Sequence, residues 1–150
     1  MDLFYGSEHR IAAVTDEYAG IDKPADLFRA LNNIWSRETC APLSRIWWSE
    51  EKRSLGQCSI TAFLAQKIFG GKVYGIVLKN GIMHYYNRTD GLIFDLTSEQ
   101  MKDQNIDYEN DYKEQSREDF FIVSDNRKRY DLLEKSLKQW CAAERVQERG

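Results

Sequence analysis

Three residues of this chain have the types and the order that thiol chemistry needs: Cys58, His84 and Asp95. Cys58 sits in Gly56-Gln57-Cys58-Ser59-Ile60-Thr61-Ala62, where a glycine closes a polar run and a helical pattern begins. The thiolate is the nucleophilic form of cysteine, and a helix N-terminus favours it through unpaired N–H groups and the macrodipole. A histidine beside the sulfur gives a thiolate–imidazolium pair at neutral pH. A carboxylate on the other ring nitrogen fixes the tautomer and the orientation. The expected chemistry is acyl transfer through a covalent Cys58 intermediate, with His84 as general base and then acid and Asp95 orienting it. The Cys58 backbone N–H and the Gln57 side chain are the candidate oxyanion donors.

Whether His84 and Asp95 can meet depends on the strands that carry them. Residues 72–78 are rich in Val, Ile and Tyr, Asn80-Gly81 is a two-residue hairpin signal, and residues 82–87 return. Residues 88–91 turn again, and 92–96 form a third strand of an antiparallel meander. A two-residue turn at Asp90-Gly91 pairs Thr89 with Leu92 and leaves His84 diagonal to Asp95. A four-residue loop over 88–91 puts the two directly opposite. Both registers place His84 and Asp95 on one face, and only an odd loop length separates them. Asn87 falls on the other face, which makes Asp95 the better third member. Asp95 also stands where it can cap the short helix expected from Thr97-Ser98-Glu99-Gln100.

The remaining elements must hold this group. Residues 1–22 show no clean period and read as a loosely ordered lead-in. Pro24 opens a helix with Asp22 as its cap, and Leu27, Phe28, Leu31, Ile34 and Trp35 form one apolar stripe. Trp47 and Trp48 could line a cleft with Tyr86 and Asn87, although packing against the core is the reading that large tryptophans favour. The helix from Cys58 to Phe69 is apolar enough to be largely buried and stops at Gly70-Gly71. Residues 102–117 are polar and read as an irregular connection. A last helix over 126–143 turns Tyr130, Leu132, Leu133, Leu137, Trp140 and Cys141 to one side, and residues 144–150 are expected to fray. Both sheet faces carry apolar residues, so both should be covered. The sum is a single α+β domain over 23–143, with a Cys-bearing helix packed on a small antiparallel sheet and further helices from both ends.

Composition narrows the function. At 150 residues, with 42% hydrophobic and 30% charged residues and a net charge of −3, the chain is a compact domain with mixed surface charge. No basic stripe marks nucleic acid, and no apolar run approaches the roughly 18 residues that cross a bilayer. The first five residues lack a basic and an apolar region, so export is not expected and Asn87-Arg88-Thr89 is a chance sequon. Three dispersed cysteines point to reduced thiols in a cytosol, and two histidines without a CxxC are too few for structural zinc. No metal or cofactor is implied. Cys40 and Cys141 read as structural, and His9 as solvated. A redox-sensing role for Cys58 is the weaker idea, because no resolving cysteine lies near it in sequence.

Several blocks resemble the small bacterial YunG-type family: Gly56 to Ala62, Phe69-Gly70-Gly71, His84-Tyr85-Tyr86-Asn87, Asp90-Gly91, and Asp95-Leu96-Thr97-Ser98-Glu99-Gln100. Arg129-Tyr130-Asp131-Leu132-Leu133 is similar to that family's last helix, so the likeness spans about Ile34 to Leu137. A cysteine helix followed by His and Asp strands is also similar to an abbreviated papain-like core, as in the NlpC/P60 and transglutaminase-like groups. The resemblance implies a cysteine hydrolase or acyltransferase acting on a small molecule or peptide. The rival expectation is a non-catalytic module on the same fold, using Trp47, Trp48, Tyr85 and Tyr86 to hold a ligand or protein partner.

Overall fold

The computed structural model describes residues 4–110 and 112–149. The elements that position the candidate site are α1 (Pro24–Ile34), α2 (Cys58–Phe69), β1 (Lys72–Val77), β2 (Met83–Thr89), β3 (Leu92–Phe94), β4 (Lys113–Glu114), α3 (Arg117–Ile122) and α4 (Ser124–Arg149). Short 3-10 turns at Pro42–Trp47, Glu50–Lys52 and Ser98–Met101 fill the connections. The fold is mixed α+β, and its antiparallel sheet has the order β3-β2-β1-β4.

α2 is the central helix because nearly every side chain on it is small or apolar. Ile60, Phe63, Leu64, Ala65 and Ile68 are fully buried, and each of the larger ones contributes about 1.5–3 kcal/mol relative to exposure. One side of α2 packs on β2 and β1, and the other meets α1 and α4. α1 supplies Leu27, Phe28 and Leu31, and α4 supplies Tyr130, Leu133, Leu137 and Cys141 at helical spacing. Leu132, expected on that stripe, turns outward and is 40% exposed. α4 stays helical from residue 144 to Arg149, where fraying was expected; Gly150 lies outside the described residues.

The second sheet face has a smaller apolar cluster of Ile76, Tyr86, Ile93 and Tyr108, covered by the chain around Ile106 and Tyr112. The sheet is therefore covered on both sides, as its two apolar faces require.

The two hairpins differ from each other in an informative way. β2 and β3 join through Asp90 and Gly91, both at positive φ (52° and 77°), with Thr89 opposite Leu92. That is the two-residue turn whose twist matches the strands, and it selects the diagonal register. Between β1 and β2 the expected two-residue turn is a three-residue loop. Leu78 N–H donates to Ile82 O at 2.8 Å, and Gly81 takes the left-handed position (φ 84°) that closes such loops.

Three further expectations are corrected. Residues 4–22 are not loosely attached. Phe4, Ile11, Tyr18 and Ile21 are buried in the main core, and Asp95 N–H donates to Tyr5 O at 2.9 Å; Met1 to Leu3 lie outside the described residues. The α1 cap is not Asp22. The carboxylate of Asp26 in the first turn accepts from the N–H groups of Asp22 and Lys23 instead, at 3.0 and 3.2 Å. The polar connection after residue 102 contains β4, which pairs with the free edge of β1 through Tyr74 and Gly75.

Candidate active site

Cys58 is the first residue of α2. It is placed there by Gly56, whose φ of +70° disfavours any side chain. A Cβ at Gly56 would come within 2.5 Å of the Cys40 sulfur and 3.2 Å of the Ala41 nitrogen. Gln57 follows as N-cap residue but gives no side-chain cap. Thr61 N–H is the first to find a helical acceptor, Gln57 O at 3.1 Å. The N–H groups of Cys58, Ser59 and Ile60 are thus the open donors of the first turn.

Gln57 itself is fully buried, and its Nε2 donates to Ser36 O at 2.9 Å while Oε1 has no partner. Its side chain ties the turn to residue 36, so the helix N–H groups are the donors left open at this turn.

His84 and Asp95 lie on the sheet face opposite Asn87, whose amide donates to Ala62 O of α2 at 2.8 Å. His84 Nε2 and Asp95 Oδ2 are 2.6 Å apart, and each residue is only 1% exposed. Asp95 is held on every side. Its Oδ1 accepts from the N–H and Oγ1 of Thr97 at 3.1 and 3.3 Å, and its Oδ2 accepts from Tyr108 Oη at 2.7 Å as well as from His84. The expected helix-capping role thus takes the form of a local turn with Thr97, which precedes a 3-10 turn that has no side-chain cap.

With Nε2 committed to Asp95, Nδ1 is the ring nitrogen left for the sulfur. Burial pulls the His84 proton affinity down, but the Asp95 charge and hydrogen bond, joined by a side-chain hydrogen bond and charge from Cys58, outweigh it. The net result pushes His84 up to about 10, so it is an imidazolium at neutral pH. Among the described residues the ring's hydrogen bond is the 2.6 Å one to Asp95, and Cys58 is near enough for its charge to reach His84. Cys58 is half-buried, whereas His84 and Asp95 are closed off from solvent.

Tyr85, which packs on Phe63 of α2, is near enough to sense Cys58. Burial raises its phenol and the charge of Cys58 raises it further, while Arg129 opposes both. Tyr85 also lines a cavity of about 370 Å³ with Ser116, Phe120 and Asn126. A cavity of about 650 Å³ is walled by Tyr108, which donates to Asp95, and by Tyr5, and the two rings stack at 4.0 Å.

The other cleft candidates are placed differently. Tyr86 is buried and its Oη donates to Tyr108 O at 3.1 Å. Trp48 is half-buried, with its indole N–H on Arg53 O at 2.9 Å. Trp47, expected to pack against the core, is 69% exposed and sits beside exposed Leu43 and Ile46. His9 is half-buried near the Glu8 carboxylate. The residue that sequence reasoning missed is Tyr108. It is an aromatic in a polar run, and that contrast was its one signal.

Residues 23–142 match the model of a family described as YunG protein. The chain belongs to the YunG family. The matched span carries Cys58, His84, Asp95 and Tyr108 together. This YunG chain is also 32% identical over 109 residues to the "Uncharacterized protein YunG" of Bacillus subtilis (strain 168), covering 73% of this chain and 86% of that protein. No solved structure matches it. Neither finding extends to the papain-like groups. Among the described residues, no helix is long and apolar enough to cross a membrane.

Proposed function

We propose that this YunG protein is a cysteine-dependent acyl-transfer enzyme that cleaves or transfers an amide, isopeptide or thioester bond through Cys58. The observation that carries the reading is the buried 2.6 Å His84–Asp95 bond, with the half-buried Cys58 at the head of α2 near enough for its charge to reach the same imidazole. A neighbouring imidazolium and the open N–H groups of a helix first turn are the surroundings in which a cysteine sulfur serves as nucleophile.

In the first step the sulfur attacks the carbonyl carbon, and the carbonyl electron pair moves onto oxygen, where the Cys58 N–H donates. Collapse of that intermediate expels the amine or thiol, which takes the proton from His84 and leaves an acyl–Cys58 thioester. A water or amine then attacks the thioester while His84, now neutral, accepts its proton. The thiolate leaves and the imidazolium is restored. Asp95 keeps the ring oriented throughout and does not exchange a proton. The proposed core is an abbreviated papain-like one, with the cysteine at a central helix N-terminus, the histidine on β2 and the aspartate directly after β3.

A panel of peptide, isopeptide and thioester acyl donors tests this by intact-protein mass. The reading expects an acyl adduct on Cys58 and turnover with at least one donor class, both absent in Cys58→Ala. A panel giving neither adduct nor turnover with the wild-type protein refutes it.

A second reading, the non-catalytic binding module, draws on the exposed Leu43, Ile46 and Trp47 of one 3-10 turn. It has lost two of its expected contacts, since Tyr86 is buried and Trp48 is bonded to Arg53 O. It expects a partner whose binding depends on Trp47 and is indifferent to Cys58→Ala.

A further inference from the structure

We propose that Cys58 is a peroxide-sensitive modification site whose sulfenic acid is resolved inside the same chain by Cys40, giving a reversible Cys40–Cys58 disulfide. The two residues are distant in sequence, but Cys40 packs against Gly56 in the turn that opens α2, two residues before Cys58. The place where a Gly56 side chain would begin is 2.5 Å from the Cys40 sulfur, and Ala41 N–H donates to Gly56 O at 2.9 Å. The residues around Cys40 are anchored as well: Arg45 Nε donates to Cys40 O at 3.1 Å and Arg129 donates to Thr39 O at 3.2 Å. Cys40 thus lies against the residue two positions before Cys58, on a segment that is fixed in place.

The two thiols differ in the way a peroxidatic and a resolving cysteine need to differ. Cys58 is half-buried and open to a small oxidant, whereas Cys40 is fully buried. Burial pushes the Cys40 thiol up, opposed by Arg129, Arg45 and Arg37, and the charge of Cys58 reaches it too. Cys40 therefore stays a protonated, inert thiol until an electrophilic sulfur forms beside it. The three guanidinium groups then favour the negative charge that its attack develops. Cys141 lies on α4, where it packs in the main core.

The chemistry closes with one oxidant, a hydroperoxide such as hydrogen peroxide. The Cys58 thiolate displaces one peroxide oxygen, with a proton completing the water that leaves, and becomes Cys58–SOH. The Cys40 sulfur attacks the Cys58 sulfur, the S–S bond forms, the S–O bond breaks, and hydroxide leaves as water with the Cys40 proton. Two thiols are oxidised by two electrons and one peroxide is reduced to water. The bond draws the Cys58 sulfur toward Cys40 and away from His84, which turns off the nucleophile until a dithiol reduces it. The inference needs a nucleophilic Cys58 sulfur but no acyl transfer, so an unsuccessful acyl-donor panel leaves it standing.

The test treats the reduced full chain with one equivalent of hydrogen peroxide at pH 7, blocks free thiols with N-ethylmaleimide, and maps the tryptic peptides without reduction. The three cysteines fall on separate peptides, residues 38–45, 54–67 and 139–145. The expected result is a linked 38–45/54–67 pair that dithiothreitol separates, with 139–145 carrying maleimide. In Cys40→Ser the link is absent and dimedone labels Cys58 instead. A wild-type protein that shows a dimedone adduct on Cys58 without the link, a link to 139–145, a link between two chains, or unreacted Cys58 overturns the inference. The wild-type map decides the question even if Cys40→Ser does not fold.

Discussion

Asp95→Asn should cost the protein most of the stability that the His84 ion pair supplies, and that cost should vanish as pH rises. The comparison is best made in a Cys58→Ala background, where protonation of the sulfur does not enter. In that background the two largest causes that raise His84, the Asp95 charge and the Asp95 hydrogen bond, still act against burial. The folded-state value lies above the unfolded one. The contribution is therefore fully present below about 6.5 and is lost as pH climbs through the folded value. Within that window the native state holds one more proton, and stability falls by up to about 1.4 kcal/mol per pH unit. An asparagine can still accept from Thr97 through its oxygen, but its amide presents donors to Tyr108 and to a protonated His84. Breaking a buried pair in this way costs about 3–5 kcal/mol near neutral pH. Urea unfolding of the two proteins at steps from pH 6.5 to 10 measures the difference. Cys40 and Cys141 cancel because both proteins carry them, whereas Tyr108, whose phenol Asp95 itself raises, differs between the two, so the points below pH 9 decide the comparison. Curves that run parallel, with a constant gap across the window, refute the reasoning.

Two other substitutions separate the parts of the site. Tyr108→Phe removes one of the two donors to Asp95 Oδ2, which has its 2.6 Å bond to His84 to keep it in place. It should cost about 1–2 kcal/mol in urea unfolding while Cys58 keeps most of its alkylation rate. Asn87→Ala leaves Ala62 O without its buried donor and should destabilise the fold by about 1–3 kcal/mol in the same assay. It should leave the pH profile of Cys58 alkylation unchanged, because Asn87 faces away from His84.

The parts of the site that were legible in the sequence obey short-range rules. Asp90-Gly91 can take two positive φ angles in succession, and once it does, side-chain alternation carries His84 and Asp95 to one face and Asn87 to the other. The apolar run of α2 and its stop at Gly70 are equally local. What was hidden depends on tertiary contacts. Phe4, Ile11, Tyr18 and Ile21 have no common period, since each enters the core from an irregular stretch. β4 has two exposed residues and exists only because the edge of β1 is free to pair. Tyr108 reaches Asp95 from a polar loop, and Cys40 reaches the Cys58 turn from the far side of the 3-10 turns. No spacing rule announces either contact. Trp47 stands outside the core because the 3-10 turn carrying it has no buried residue.

Whether His84 poises Cys58 as a nucleophile is read from the rate at which Cys58 is alkylated. Second-order rates with iodoacetamide from pH 5 to 9 should be read at Cys58 by peptide mass, in the wild-type protein and in His84→Ala, beside a free model thiol. The account predicts a wild-type rate at pH 6 to 7 about tenfold or more above the model thiol, falling to or below it in His84→Ala. Equal rates for wild-type Cys58, His84→Ala and the model thiol across that range would contradict it.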